Sequence, residues 1–168
     1  MLLKIFKRPL PSTIILIFGI AIAIWIKSFL SNLTLPFYFD EYQMPLYSLA
    51  INLIGKIPLS EKIIAFITLL GCALYLIQLN TKHILIKYRT YLPALLFILL
   101  SSSFLPLQRI NPAIFATFFL IIALDNIFAS YESDSPLDNY FKASFFVSIA
   151  SLFYFASSFY IVLIFISI

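Results

Sequence analysis

Long apolar runs restrict the fold of this chain more than any other feature. Between residues 13 and 30 the only charged residue is Lys27, and further apolar runs follow at about 61–79, 88–105, 112–129 and 141–168. A helix rising 1.5 Å per residue needs about 20 apolar residues to cross a ~30 Å hydrocarbon core. The sequence therefore predicts an all-α integral membrane protein with about five transmembrane helices. The last run fits either one tilted helix or a helix broken near residues 155–158.

Composition supports the same class. The chain is 62% hydrophobic and 11% charged, with a mean hydropathy of +1.05, whereas soluble domains are about 45–50% apolar and 25% charged. Its 168 residues predict a single polytopic membrane domain covering 1–168. Because the sequence stops inside an apolar run, we expect either an end at the outer surface or the N-terminal portion of a longer protein. The net charge of +4 is spread over short loops, so no nucleic-acid partner is expected.

The basic residues predict an orientation. One basic group precedes the first apolar run: Lys4, Lys7 and Arg8. A second lies between the second and third runs: Lys82, Lys87 and Arg89. Under the positive-inside rule both groups are cytoplasmic. The N-terminus is then cytoplasmic, and the loop after the first span faces outward.

A short amphipathic helix is predicted in that first outer loop. Its apolar positions recur at three-to-four spacing, and polar positions recur every four residues on another face: Leu46, Leu49, Leu53 and Ile57, then Ser48, Asn52 and Lys56. Gly55 and Pro58 supply a stop signal. We expect this helix to lie on the outer leaflet.

Asp40 and Glu41 are adjacent carboxylates in the same loop, framed by aromatic residues. Desolvating two carboxylates at a bilayer surface is costly, so the pair is a candidate catalytic site. Asp40 could deprotonate an acceptor hydroxyl, and Glu41 could tune its pKa by like-charge repulsion or help to hold a divalent metal ion. Alternatively, both are solvated loop residues or pair with Lys56 or Arg109.

Arg109 lies in a short outer loop and is a candidate phosphate ligand, because a planar guanidinium suits phosphate recognition. Lys56 is the second candidate for phosphate or lipid binding, and the Arg109 side chain could instead extend to lipid headgroups. A dense aromatic group near the end of the chain fits a groove for a polyprenyl or acyl chain, or else helix packing or an interfacial aromatic belt: Phe145, Phe146, Phe153, Tyr154, Phe155, Phe159 and Tyr160.

The order of elements resembles the N-terminal half of the glycosyltransferase-C superfamily: one span, then an outer loop with an acidic pair and an interfacial helix, then further spans. The stretches at 39–47, 88–94 and 105–112 are similar to an uncharacterised family of bacterial multi-pass membrane proteins. The first resemblance implies transfer of a sugar from a polyprenyl-phosphate donor at the outer face of a bacterial inner membrane. It carries over to Asp40, and to Glu41 as its neighbour; the bacterial family has longer members, which implies that this chain is an N-terminal portion.

Two other functions remain open. A non-catalytic membrane scaffold or assembly partner in cell-envelope biogenesis would not need the acidic pair. A transporter is a third reading, although the runs lack the buried charges and Gly/Pro-broken pairs typical of a midplane site.

Overall fold

The structure, a computed structural model, describes residues 11–30, 44–54, 58–84, 90–104, 107–133 and 135–167. Every regular element in these residues is helical. In chain order the elements are α1 (Pro11–Leu30), α2 (Pro45–Ile54), α3 (Pro58–His83), α4 (Leu92–Ser101), α5 (Pro112–Ser130), α6 (Pro136–Phe153), a 3-10 helix (Phe155–Tyr160) and α7 (Ile161–Ser167).

Three helices of the described chain are long enough and apolar enough to cross a membrane: α1, α3 and α5. Their apolar segments Thr13–Leu30, Leu59–His83 and Pro112–Ser130 contain 18, 25 and 19 residues, close to the ~20 that a spanning helix needs. The first, second and fourth predicted runs therefore form helices of spanning length. The prediction of about five spans is not confirmed.

The third predicted span is wrong in length. Helix α4 has ten residues, which rise about 15 Å, half the thickness of the hydrocarbon core. Three serines stand at its end, and the Ser103 hydroxyl lies within hydrogen-bonding distance of the carbonyl oxygens of Leu99 and Leu100, at 2.9 and 2.7 Å. Such bonds compete with continuation of the helix.

The last apolar run is broken rather than continuous. Helix α6 begins at Pro136, ahead of the apolar run, and ends at Phe153. Tyr154 is extended, with φ −144° and ψ 111°, so the helix cannot continue through it. The 3-10 helix and α7 follow, which confirms the broken alternative.

The chain forms two compact units. Unit 1 comprises Met1–Phe37 and Pro58–Ile110, with helices α1, α3 and α4. Helix α1 buries one stripe at three-to-four spacing, as an amphipathic helix does: Thr13, Ile17, Ala21, Trp25 and Ser28. Helix α3 packs on α4, and α1 contacts both. At the far end of α3, the Asn80 amide nitrogen donates to the carbonyl oxygen of Thr90 at 3.2 Å and so joins α3 to the start of α4.

Unit 2 comprises Tyr38–Ile57 and Asn111–Ile168. Helix α5 starts where the sequence predicts, because Pro112 occupies the first turn and the Asn111 side chain accepts from the Ile114 N–H at 2.9 Å. Helices α5 and α6 form the main packing pair, around a small apolar core: Ala123, Ile127, Ala143, Val147 and Ile164.

Helix α2 confirms that the amphipathic segment is helical over Pro45–Ile54. It packs on α6 and buries Tyr47, while Leu49 and Leu53 are 56% and 86% exposed. Two exposed leucines four residues apart lie on one helix face. Its position at a membrane surface stays a prediction.

Candidate functional site

The predicted site residues divide between described and undescribed parts of the chain. Asp40, Glu41 and Lys56 lie outside the described residues. Arg109 is described and belongs to unit 1. There it joins a group of polar side chains at one end of the unit, which we call the polar cluster: Trp25, Ser28, Glu61, Lys62, Ser102, Gln108 and Arg109.

Three parts of unit 1 supply the polar cluster. The last turns of α1 carry Trp25 and Ser28, and the first turns of α3 carry Glu61 and Lys62. The third part is the segment after α4, which carries Ser102, Gln108 and Arg109. The cluster therefore forms where one helix ends, another begins and a loop passes between them.

Two buried hydrogen bonds hold the loop against the helices. The Trp25 indole N–H donates to the Ser102 hydroxyl at 2.9 Å, and the Gln108 amide nitrogen donates to the Ser102 carbonyl oxygen at 2.8 Å. Trp25, Ser102 and Gln108 are 0%, 1% and 3% exposed. Because buried polar groups are costly without partners, these bonds hold Ser102 against Trp25 and Gln108 against Ser102.

A second pair of bonds connects the loop to α3 through the end of α1. The Ser28 hydroxyl donates to the carbonyl oxygen of Gln108 at 3.2 Å, and the Lys62 ammonium donates to the carbonyl oxygen of Ser28 at 2.6 Å. Carbonyl groups in the last turn of a helix have no partner within the helix and carry a partial negative charge. Lys62 thus satisfies one of these carbonyls with a full positive charge.

One acceptor in the cluster is left without a donor from the described residues: the side-chain oxygen Oε1 of Gln108. The bond from Nε2 to Ser102 determines which way the amide faces. A buried acceptor without a donor costs about 1–3 kcal/mol. The cluster is therefore not fully satisfied by these residues alone.

Arg109 pairs with Glu61 at the solvent-accessible rim of the cluster. One guanidinium nitrogen lies 3.5 Å from a carboxylate oxygen, and the two side chains are 33% and 24% exposed. At that distance and exposure the pair contributes at most about 1 kcal/mol. The pairing of Arg109 with Asp40 or Glu41 that the sequence analysis allowed stays a prediction, because both carboxylates lie outside the described residues; Glu61 is a partner of Arg109 within them.

Aromatic rings close the apolar side of the cluster. The Trp25 ring lies 5.2 Å from Phe66 and 6.0 Å from Phe29, centroid to centroid, and Phe29 and Phe66 meet edge to face at 6.0 Å. These separations are typical of favourable aromatic pairs. The rings screen the Trp25–Ser102 bond from lipid or water.

The aromatic group near the end of the chain is partly helix packing. Phe153 stacks on Phe115 and on Phe119, at 5.4 and 5.6 Å, and Phe119 also stacks on Phe146 at 6.5 Å. Phe155 and Phe159 are instead 62% and 70% exposed. Two rings of the group, Phe146 and Phe153, thus pack α6 against α5, whereas Phe155 and Phe159 lie on the outside of unit 2.

The polar cluster holds charges and donors rather than a nucleophile with its base. Among the described residues no group of three His, Cys, Asp or Glu side chains could hold a metal ion. The cluster connects three segments of unit 1, with the Lys62 ammonium bonded to the end of α1 and Arg109 paired with Glu61 at its partly exposed rim.

Sequence reasoning missed most of the cluster. The available signal was spacing: Trp25 and Ser28 are three residues apart, and so share a helix face. Glu61 and Lys62 are charged residues in the first turns of an otherwise apolar helix, and need partners. What the pattern could not provide was the identity of those partners.

The three long apolar helices, with a polar cluster at one end of unit 1, are typical of a helical membrane protein. No protein-family model, curated protein or solved structure matches the chain. The resemblance to the glycosyltransferase-C superfamily therefore stays a prediction from the sequence.

Proposed function

We propose that this chain is a glycosyltransferase-C-like membrane protein that transfers a sugar from a polyprenyl-phosphate donor at the outer face of a bacterial inner membrane. Asp40 would act as the general base and Glu41 as its electrostatic neighbour. Asp40 would accept the proton of an acceptor hydroxyl as the oxygen attacks the anomeric carbon of the donor. The bond from that carbon to the phosphate oxygen breaks, and the polyprenyl phosphate leaves.

Helix α2 is the observation that carries this proposal. It begins at Pro45, four residues after Glu41, and four extended residues reach at most about 14 Å. The exposed leucines of α2, Leu49 and Leu53, suit insertion into the boundary between headgroups and acyl chains. With α2 in that boundary, Glu41 stays within about 14 Å and Asp40, five residues before Pro45, within about 18 Å of the membrane surface, where a lipid-linked phosphate lies.

Arg109 is the proposed phosphate ligand in unit 1. Its pair with Glu61 is partly exposed and 3.5 Å long, and an interaction of about 0–1 kcal/mol is readily exchanged for a stronger one. A phosphate can take two parallel N–H bonds from a guanidinium, which strengthens the contact. Donor binding would then replace Glu61 at the guanidinium.

The test is Asp40→Asn in the full chain, expressed in bacterial membranes. We expect transfer of a radiolabelled sugar from its polyprenyl phosphate to endogenous acceptors to fall at least ~100-fold, since general bases contribute 10²–10⁴-fold. Asp138→Asn is the matched control, because Asp138 is an exposed carboxylate in the first turn of α6. Full transfer by the Asp40→Asn protein, at equal expression, would sink the assignment.

The second candidate is a non-catalytic membrane scaffold, and the open face of α1 favours it. Ile15, Ile22 and Ile26 are 73%, 51% and 50% exposed, and a Cβ added at Gly19 meets nothing within 4 Å. A scaffold would bind a partner helix along this face. It predicts that Asp40→Asn is silent, whereas Gly19→Leu releases a co-purifying partner.

A further inference from the structure

The polypeptide reverses direction inside unit 2. After the break at Tyr154, the chain continues to Ser167, whose carbonyl oxygen accepts from the Tyr140 hydroxyl at 2.6 Å and from the Tyr131 hydroxyl at 3.4 Å. Tyr140 lies in the second turn of α6, and Tyr131 directly follows α5. The segment after the break therefore returns to the end of unit 2 from which α6 starts.

Neither leg of this reversal is long enough to cross a membrane. The last charged residue of α6 is Lys142, and the eleven residues 143–153 that follow carry no charge. They rise about 16 Å, about half of a ~30 Å hydrocarbon core. The returning leg has six 3-10 residues and seven α-helical residues, which together rise about 22 Å.

The outer surface of both legs is strongly apolar. Phe145, Phe155, Phe159 and Phe165 are 56%, 62%, 70% and 73% exposed, while the inner side packs on α5 through the apolar core. Exposed rings in such numbers suit acyl chains rather than water. The charged residues Asp138 and Lys142 are exposed at the base of α6, where charges can reach water.

Both backbone groups of Tyr154, the residue at the break, are hydrogen-bonded, as a lipid environment favours. The Tyr154 N–H donates to the carbonyl oxygen of Ala150 at 2.9 Å. The Tyr154 carbonyl oxygen accepts from the Ser157 N–H at 3.0 Å and from the Ser157 hydroxyl at 2.6 Å. Ser157 itself is 2% exposed, so its two hydrogen bonds to the Tyr154 carbonyl come from a buried residue.

We propose that residues 136–167 form a re-entrant hairpin: the chain enters the bilayer at the base of α6, turns at Tyr154 within the hydrocarbon, and returns to the same side. Tyr131 and Tyr140 latch the returning leg at that side. The inference rests on membrane insertion and does not depend on the proposed sugar transfer. It places Ser133 and Ser167 on one side of the membrane and Ser158 in the hydrocarbon.

Single cysteines test the hairpin in the full chain. Cys72, the only native cysteine, is buried and is replaced by Ala in all variants. Ser133→Cys, Ser158→Cys and Ser167→Cys are then labelled with a membrane-impermeant maleimide, in intact cells and in inverted membrane vesicles. The Ser167 substitution retains the carbonyl oxygen that the two tyrosines contact. The helical circular dichroism signal and the elution volume of each purified variant, compared with those of the parent protein, verify that it is folded.

We expect the cysteines at 133 and 167 to be labelled from the same side, and the cysteine at 158 to be labelled only after detergent is added. Labelling of 133 and 167 from opposite sides would overturn the proposal, because residues 136–167 would then cross the membrane. Labelling of 158 from either side without detergent would also overturn it. If Ser167→Cys does not fold, Ile166→Cys replaces it, since Ile166 is 76% exposed.

Discussion

Replacing Ser102 by Ala should destabilise unit 1 through one defined bond. The Ser102 hydroxyl accepts from the Trp25 indole N–H at 2.9 Å, and both side chains are at most 1% exposed. The alanine leaves a buried N–H without an acceptor, which costs about 1–3 kcal/mol. Interhelical hydrogen bonds in membrane proteins contribute about 0.6 kcal/mol on average and about 1.7 at most. We therefore expect a loss of about 1–2 kcal/mol, which is a ~5–30-fold shift of the unfolding equilibrium.

The assay uses the tryptophan itself. Because Trp25 is the only tryptophan in the chain, its emission during titration from mild detergent into SDS reports the unfolding of unit 1 alone. Ser103→Ala is the matched control: Ser103 is exposed and bonds only to carbonyl groups of its own helix in the bonds that the structure shows. We expect that control to stay within about 0.5 kcal/mol of the parent protein.

A double-mutant cycle separates the bond from the packing. In a Trp25→Phe background the N–H donor is gone, so Ser102→Ala should cost less than about 0.5 kcal/mol. Unfolding of these proteins is followed by maleimide reaction of Cys72, which is 0% exposed in the folded protein. Equal effects of Ser102→Ala and Ser103→Ala, or an equal cost of Ser102→Ala in both backgrounds, would refute the assigned role of the bond.

Two further predictions concern stability. Ile84, directly after α3, has φ 47° and is 72% exposed. This left-handed conformation costs an L-residue about 1–2 kcal/mol. Ile84→Gly should therefore raise the free energy of unfolding by about 0.5–1 kcal/mol. Ile84→Val, which keeps the branched side chain, should give no gain, and a loss of stability in the glycine protein would contradict the strain. Glu61→Gln and Arg109→Gln should show a coupling below about 1 kcal/mol in a double-mutant cycle, because their pair is partly exposed. A coupling energy above about 2 kcal/mol would contradict this, because the pair would then stabilise unit 1 as a buried ion pair does.

Hydropathy correctly predicted the three helices that consist of one long, uninterrupted apolar segment. Helices α1, α3 and α5 lie within a few residues of the predicted runs, because long uninterrupted apolar segments have few alternatives to a helix in lipid. The third run failed at residues 101–103, three consecutive serines that a windowed average hides. There a hydroxyl bonds back to its own helix and another accepts from Trp25. A mean over many residues cannot represent such individual side-chain bonds, so it cannot locate the end of the helix at Ser101.

The polar cluster shows a second reason why the site was only partly predictable. Arg109 was a candidate because a cation in a short loop stands out, but its partner Glu61 lies 48 positions away. Trp25 and Ser102 are 77 positions apart. Pairing over such distances depends on how α1, α3 and α4 pack, and packing of apolar helices in lipid depends on detailed shape rather than on hydropathy. Periodicity can therefore identify a polar residue that needs a partner without identifying the partner.

The hairpin and the polar cluster each supply hydrogen-bond partners for backbone groups at a helix end, one locally and the other from a distant helix. In a bilayer each freed backbone group must find a partner within the protein. In unit 2 the break at Tyr154 is satisfied locally, by Ser157 three residues on. In unit 1 the end of α1 is satisfied from a distance, by Lys62 on α3. A local partner leaves the turn independent of other helices, whereas a distant one makes the conformation of one helix end depend on another helix. Substitution of Lys62 should therefore disturb the position of α1 relative to α3, while substitution of Ser157 should act on the hairpin alone.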